Sequence, residues 1–463
     1  MDPPLPTTPT KAPPPEAYPV HEERDVVLRS GSTLRLRPVR PSDGPALLDL
    51  FRRLSPESLY LRFLSVPRLD AAHADRFCRV DYESEFALVA ESGGRLVALG
   101  HYFRLALQPD TAEVAFAVED ALQGQGIGTR LLERLAEIAR THGIAFFEAE
   151  VLLDNRRMAE VFRNCGFERT KLRLEDGIER VTLAIAPTPH FALLAADRSE
   201  AAAHASMRRL FEPESVAVVG ASNHRGKLGA EIFHNLVSHG FRGTAIPINP
   251  HAAGGQVLGV RAYARVTDAP GAVDLAVIAI PADKVEPAIA DCVAKGAKAV
   301  VVITAGYAET GDDGRRREAA LLETVRNAGI RLVGPNCMGL LNTDPKVRLN
   351  VTFAPVSPPE GRVALSSQSG ALGLALLDYA SKLNLGISTF VSVGNKADVS
   401  SNDLVQYWAA DARTDVILLY LESFGQPGLF GRIARRVARR KPIIAVKAGR
   451  SGAGARAASS HTG

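Results

Sequence analysis

The sequence predicts an α+β domain followed by two α/β domains, and three observations carry that expectation. From about Val26 to Ile185 short strands and helices are mixed, with hairpins between them. From Ser215 onward, continuous apolar runs alternate with helical segments, which means a parallel sheet covered on both faces. A polar, proline-rich break from Ser357 to Gly361 divides those runs into two sets. At 463 residues the chain is also too long for one core.

The elements follow in order. Residues 1–24, beginning MDPPLPTTPTKAPPPEAYP, are proline-rich without an apolar signal core and are expected to be a disordered tail. Residues 25–186 form the first domain. LRLRPVR alternates as a strand, and Ser42-Asp43 are expected to cap a helix toward Phe51 and Leu54. FALVAESGGRLVALGHYF reads as two strands around a Gly-Gly turn, and Thr111–Val118 as another strand. A glycine loop, a helix to Arg140, the strand FFEAEVL, the helix DNRRMAEVFRNCGF and a closing hairpin complete a mostly antiparallel unit. Pro187, Pro189 and the Ala-rich stretch through Ala205 read as a linker over 187–206. VAVVG, TAIPIN, LAVIAIP, AVVVITAG and RLVGPN supply the strands of a domain over 207–345. RVALSSQSG, ISTFVSVGN, VILLYLES and PIIAVKAG supply those of another over 358–463.

Composition excludes several functions. Hydrophobic residues make up 46% and charged residues 23%, as in a water-soluble globular protein. A net charge of +4 argues against a dedicated nucleic-acid binder. The basic segment from Arg432 to Lys441 has one narrow apolar face and reads as a solvated helix. Four scattered cysteines, without metal-ligand spacing, read as reduced thiols, and no metal is expected. No apolar run approaches the ~20 residues of a membrane span, so a cytoplasmic protein is expected.

The most informative segment is Gln123-Gly124-Gln125-Gly126-Ile127-Gly128-Thr129, between a strand and a Leu- and Arg-rich helix. Its glycines let the backbone approach a ligand, and the helix that follows points free N–H groups and its positive dipole end at it. That makes a pyrophosphate seat. No GK[ST] follows to hold a γ-phosphate and magnesium. Nor is the setting the first strand of a βαβ unit, as a dinucleotide fingerprint requires.

The spacing Q-x-x-G-x-G, the long helix, the next strand, Asn155 and an amphipathic helix ending Cys165-Gly166-Phe167 together resemble the GNAT acetyltransferase family over nearly all of residues 26–185. The resemblance implies acetyl-CoA as cosubstrate. Gln123, Gly124, Gln125, Gly126, Ile127, Gly128 and Thr129 would form the pyrophosphate loop, with the amides of 124–129 as donors. Asn155 would contact the pantetheine arm where strands splay apart. An amine must be neutral to attack a thioester. Glu113 in TAEVAFAV resembles the family's general base; the alternative is a solvent-facing strand residue. Many members place a tyrosine seven residues after the asparagine to protonate the leaving thiolate, and here that position is Phe162. Cys165 reads as core, and Asp154 equally as a simple cap.

The later domains resemble NDP-forming acyl-CoA synthetases and the succinyl-CoA synthetase α subunit, on SVAVVGASNHRGKLG, ITAGY and GPNCMG. The absence of G-x-G-x-x-G and of an acidic residue ending the second strand disfavours nicotinamide chemistry. The resemblance implies a Rossmann-like CoA-binding domain with Gly220, Ser222, Lys227, Asn249 and Pro281 near the nucleotide end of CoA. It places Asn336 and Cys337 near the ligase centre, with Cys337 serving loop geometry rather than nucleophilic attack. A flavodoxin-like ligase domain would follow. There Ser367 and Ser369 open a helix as an anion seat, His461 in SSHTG would be the phosphohistidine, and Glu422 would orient it. ATP or ADP would enter through an ATP-grasp domain, for which residues 1–463 contain no candidate. The expectation is therefore a fragment of a longer polypeptide, cut within the flavodoxin-like domain, or an oligomer with an ATP-grasp partner.

The fusion resembles a group of bacterial protein lysine acetyltransferases. It implies acetyl transfer to a lysine ε-amine of a protein, with a metabolic acyl-CoA synthetase as the expected kind of acceptor and the synthetase-like region as a CoA-ester sensor. Two alternatives stay open: a component of an NDP-forming acyl-CoA ligase using the phosphohistidine, and a non-catalytic CoA-binding regulator.

Overall fold

A computed structural model describes residues 18–65, 69–175 and 177–449. The described chain divides into two compact units. One is made of residues up to 26 and 34–196, the other of 27–33 and 197 onward.

The first unit is built on an eight-stranded sheet. In chain order its elements are β1 (Arg24–Val27), β2 (Thr33–Pro38), α1 (Gly44–Arg53), α2 (Pro56–Phe63), α3 (Ala71–Cys78), β3 (Glu85–Ser92), β4 (Arg95–Leu105), β5 (Gln108–Val118), α4 (Ile127–Thr141), β6 (Phe146–Leu152), α5 (Arg156–Asn164), β7 (Glu168–Glu175) and β8 (Ile178–Ala184). The strand order is β1-β2-β3-β4-β5-β6-β8-β7. Gly93 and Gly94, both with positive φ, make the predicted β3–β4 turn. Helices cover both faces, so β3 is buried along nearly its whole length instead of alternating. Leu47, Leu50 and Phe51 of α1 pack with Ala74 and Cys78 of α3 on Leu99 and Ala117. Asp43 departs from the expected cap. Its carboxylate accepts from Arg37 Nη1 at 2.6 Å and from the Arg40 amide at 2.8 Å, and makes no bond to the amides of α1.

Most pairings are antiparallel, as expected, but β5 and β6 run parallel. They stay in register for three pairs, Thr111–Phe146, Ala112–Phe147 and Glu113–Glu148, and then part. β5 continues to Val118 without β6 beside it. A wedge between two strands of one sheet results.

The predicted linker is instead part of a 23-residue helix, α6 (Pro189–Phe211). Pro189 occupies its first position, where a missing N–H costs nothing, and the alanines that follow are the best helix formers.

The second unit holds two larger sheets. β9 (Ser215–Val219), α7 (Leu228–Ser238), β10 (Thr244–Ile248), the short pair β11 (Gln256–Val257) and β12 (Val260–Arg261), β13 (Leu275–Ile278), α8 (Val285–Ala294), β14 (Ala299–Val302), α9 (Asp312–Asn327) and β15 (Arg331–Val333) come first. Their main sheet is parallel, in the order β10-β9-β13-β14-β15. Then come β16 (Gly339–Asn342), β17 (Leu349–Asn350), β18 (Glu360–Ser367), α10 (Gly370–Lys382), β19 (Ile387–Ser392), α11 (Ser401–Ala410), β20 (Val416–Leu421), α12 (Pro427–Val437) and β21 (Ile443–Lys447), with sheet order β17-β16-β19-β18-β20-β21. β16 lies within the range read as the CoA-binding domain, yet it pairs antiparallel with β19 of the following sheet. The two sheets share one core, in which Val216, Phe233, Val391 and Trp408 pack together. Arg331 is buried beneath it, donating to Asp398 at 2.8 Å, Asp403 at 3.1 Å and Ser206 Oγ at 2.8 Å. The basic run is only partly solvated: Ile433 and Val437 are buried, and Arg436 and Arg440 pair with Glu200 of α6.

Candidate active site

The glycine loop takes the geometry that its sequence demands. Gly124 and Gly126 have φ of +75° and +90°, and a Cβ on either would meet open space. Gly126 is the N-cap of α4 and offers no side chain, so the first turn of the helix keeps its orphan donors. Among the described residues, the N–H groups of 124–129 have no acceptor within the protein. Ile127 and Thr129 turn inward and are buried. Gln123 serves the fold: its Nε2 donates to Ser58 Oγ at 3.1 Å and Val118 O at 3.0 Å, and its Oε1 accepts from Arg157. An open row of unsatisfied amides at a helix N-terminus fits a pyrophosphate.

Asn155 follows β6 beyond the wedge and is the N-cap of α5, its Oδ1 accepting from the Met158 amide at 3.1 Å. Asn155, then, and not Asp154, caps the helix. Phe162 is buried, and Cys165 is fully buried with Sγ directed at Phe162 O, 3.2 Å away.

Glu113 stands on the last register pair before β5 and β6 part. It shares a sheet face with Phe103, its partner on β4, and with Glu148, its partner on β6. Glu150 and Arg180 are paired further along the same face. Burial, then Glu150, raises the Glu113 pKa above its ordinary value of 4.5, while Arg62 and Arg180 oppose the rise. A half-buried carboxyl with a raised pKa beside the opening between two strands is a candidate general base. Arg62 and the acidic partners Glu148 and Glu150 escaped the sequence reading, because strand register and a helix distant in sequence bring them to Glu113.

In the second unit, four predicted residues gather at the carboxyl ends of β9, β10 and β13. β9 and β13 flank the switch point of the parallel sheet, where ligands of such folds bind. Gly220 has φ +98°, and a Cβ there would lie 2.3 Å from Ala279 O. A Cβ on Gly229 would lie 2.1 Å from Gly220 O, so Gly229 lets α7 close on the end of β9, while Gly220 lets that end approach the end of β13. Ser222 Oγ accepts from the His224 amide at 3.0 Å. Asn249 donates to Ala221 O at 2.8 Å and accepts from the His251 amide at 2.9 Å, so it straps the loop. Lys227 and Pro281 are exposed beside it.

In the last sheet, Ser367 ends β18 and donates to Ser369 O at 2.6 Å, while Ser369 caps α10. Glu422 follows β20. Gln368 Oε1 accepts from the amides of Glu422 at 2.6 Å and Ser423 at 2.9 Å, fixing one strand end against the other. Lys396 Nζ reaches Ser423 O at 2.8 Å. Asn336, at φ +56°, donates to Asn395 at 3.2 Å. Cys337 is buried, and burial pushes its thiol up to about 12, which disfavours the nucleophilic thiolate. His461 lies outside the described residues.

Fold and loop thus define an acyl-CoA-dependent acyltransferase domain joined to CoA-ligase-type α/β domains. Residues 50–167 match the acetyltransferase (GNAT) family, 214–343 a CoA binding domain, and 360–463 a succinyl-CoA ligase like flavodoxin domain. The chain is therefore a GNAT domain fused to CoA-binding and succinyl-CoA-ligase-like domains. It is 36% identical over 143 residues to acetyltransferase Pat of Mycolicibacterium smegmatis, across 30% of this chain and 43% of that one. It is 45% identical over 257 residues to acetate–CoA ligase [ADP-forming] I of Archaeoglobus fulgidus, across 56% of this chain and 37% of the ligase. A solved dinucleotide-forming acetyl-coenzyme A synthetase 1 of Ca. Korarchaeum cryptofilum, in complex with phosphate and ADP, is 47% identical with a TM-score of 0.53, covering 55% of this chain and 54% of that one. The chain spans about half the length of such relatives, or less. No described helix is long and apolar enough to cross a membrane.

Proposed function

We propose that the chain transfers the acetyl group of acetyl-CoA to a lysine ε-amine of a protein acceptor. The amides of residues 124–129 would hold the CoA pyrophosphate, Asn155 would border the pantetheine arm, and Glu113 would take the proton from the attacking amine. One observation supports this most strongly: the half-buried Glu113 stands on the last paired step before the strands part, on a face it shares with two further carboxylates that suit a cationic side chain. An acyl-CoA synthetase is the proposed kind of acceptor. The second unit is proposed to bind a CoA ester near Gly220, Ser222, Lys227, Asn249 and Pro281, as a sensor.

A ligase component is the second reading, favoured by Gln368 holding Glu422 at the helix mouth opened by Ser367 and Ser369. It would need His461 and a nucleotide-binding partner. The test is acetyl transfer to acyl-CoA synthetases by the wild type, Glu113→Gln and His461→Ala, read by intact mass. Loss with Glu113→Gln alone supports the acetyltransferase; loss with His461→Ala alone contradicts it.

A further inference from the structure

Besides Arg180, a second cation is held on the Glu113 face of the sheet. Arg62, in the last turn of α2, lies 4.9 Å from the centroid of the Phe63 ring and 6.0 Å from that of Phe77. Its Nη2 is 3.1 Å from His101 Nδ1. A guanidinium has only donors, so Nδ1 must accept and the imidazole proton must sit on Nε2. His101 pairs with Ala115 in the register that pairs Phe103 with Glu113, which makes His101 the diagonal neighbour of Glu113 on the same face. His101 is fixed in turn by the ring of Phe77 at 5.4 Å and that of Phe103 at 6.2 Å.

We propose that Arg62 is a positioning residue for acetyl transfer, braced by His101 and the two phenylalanines so that its charge faces the Glu113 carboxylate. This rests on Glu113 being the base. The charged groups around Glu113 are Glu148 and Glu150 of β6, Arg180 of β8 and Arg62 of α2; Arg76 of α3 also faces His101. Two carboxylates and burial act to protonate Glu113, and Arg180 is engaged by Glu150. Arg62 is the counterweight braced from the opposite side. The same arrangement disqualifies His101 as the base: burial and the neighbouring Arg62 push its pKa down to about 3, and its Nδ1 lone pair is occupied.

The test is the pH profile of kcat/KM for acetyl transfer in the full chain. An opposite charge that faces a carboxyl lowers its pKa, by roughly 1–3 units when it lies within about 4–6 Å. Arg62→Gln should therefore move the acid limb to higher pH by about one unit, with KM for acetyl-CoA near its wild-type value. Arg62→Lys, which keeps the charge, should restore most of that displacement. If Arg62→Gln does not fold, His101→Leu removes the brace and should move the limb in the same direction by less. A limb that stays in place in a folded Arg62→Gln protein, while Glu113→Gln abolishes it, overturns the inference alone. A limb that survives Glu113→Gln overturns the assignment of the base, and this inference with it. Loss of both limb and turnover in His101→Leu would make His101 the base and likewise contradict it.

Discussion

Glu113 on β5 and Glu148 on β6 are register partners on the last hydrogen-bonded step before the two strands diverge. The pairing sets two carboxylates side by side at the mouth of a wedge, with Glu150 one step further on the same face. The burial of Glu113, and after it the charge of Glu150, sets how the site responds to pH.

A general base works only when unprotonated. Because the Glu113 pKa is raised, first by burial and then by Glu150, kcat/KM should fall as pH drops through a point above the ordinary 4.5 and level off at higher pH. Glu150→Gln removes a repelling charge, which favours the ionised form. The acid limb should then move to lower pH in a rate profile.

Gly126 should tolerate no side chain. Its φ of +90° strains an L-residue by roughly 1–2 kcal/mol, and the open space above it is the proposed ligand seat. Gly126→Ala should weaken acetyl-CoA binding by at least about tenfold, measured by calorimetric titration.

Gly220→Ala would drive a Cβ to 2.3 Å from Ala279 O. If the switch point of the parallel sheet is a second CoA-ester site, this variant should bind one equivalent of CoA where the wild type binds two, with acetyl transfer retained. Titration with CoA reads the stoichiometry.

Arg331→Met should be strongly destabilising. It would leave Asp398 and Asp403 beneath the shared core without their cation, a loss of about 3–5 kcal/mol for a broken buried pair. Urea unfolding of the variant against the wild type measures it.

The α+β and α/β classes were legible in the sequence because strand periodicity and continuous apolar runs report directly on which faces are buried. The glycine loop was legible because only glycine adopts its backbone cheaply. α6 was not: Pro187 and Pro189 read as breakers, although proline at a first helical position is compatible with a helix. Ser42-Asp43 was misread as a cap because Asp43 meets a buried arginine, Arg37, six residues earlier in sequence. Arg62 and His101 are 39 residues apart and carry no motif; only the packing of α2 on the sheet brings them together. The antiparallel addition of β16 to the last sheet was hidden for the same reason, since two short apolar strands do not announce their partners.

The central claim is that Glu113 is the base of a protein acetyltransferase, and Glu113→Gln tests it most directly. Transfer of labelled acetyl from acetyl-CoA to a protein acceptor should fall by roughly 10²–10⁴-fold in the variant, with its affinity for acetyl-CoA preserved. Turnover equal to the wild type in a folded variant would contradict the account.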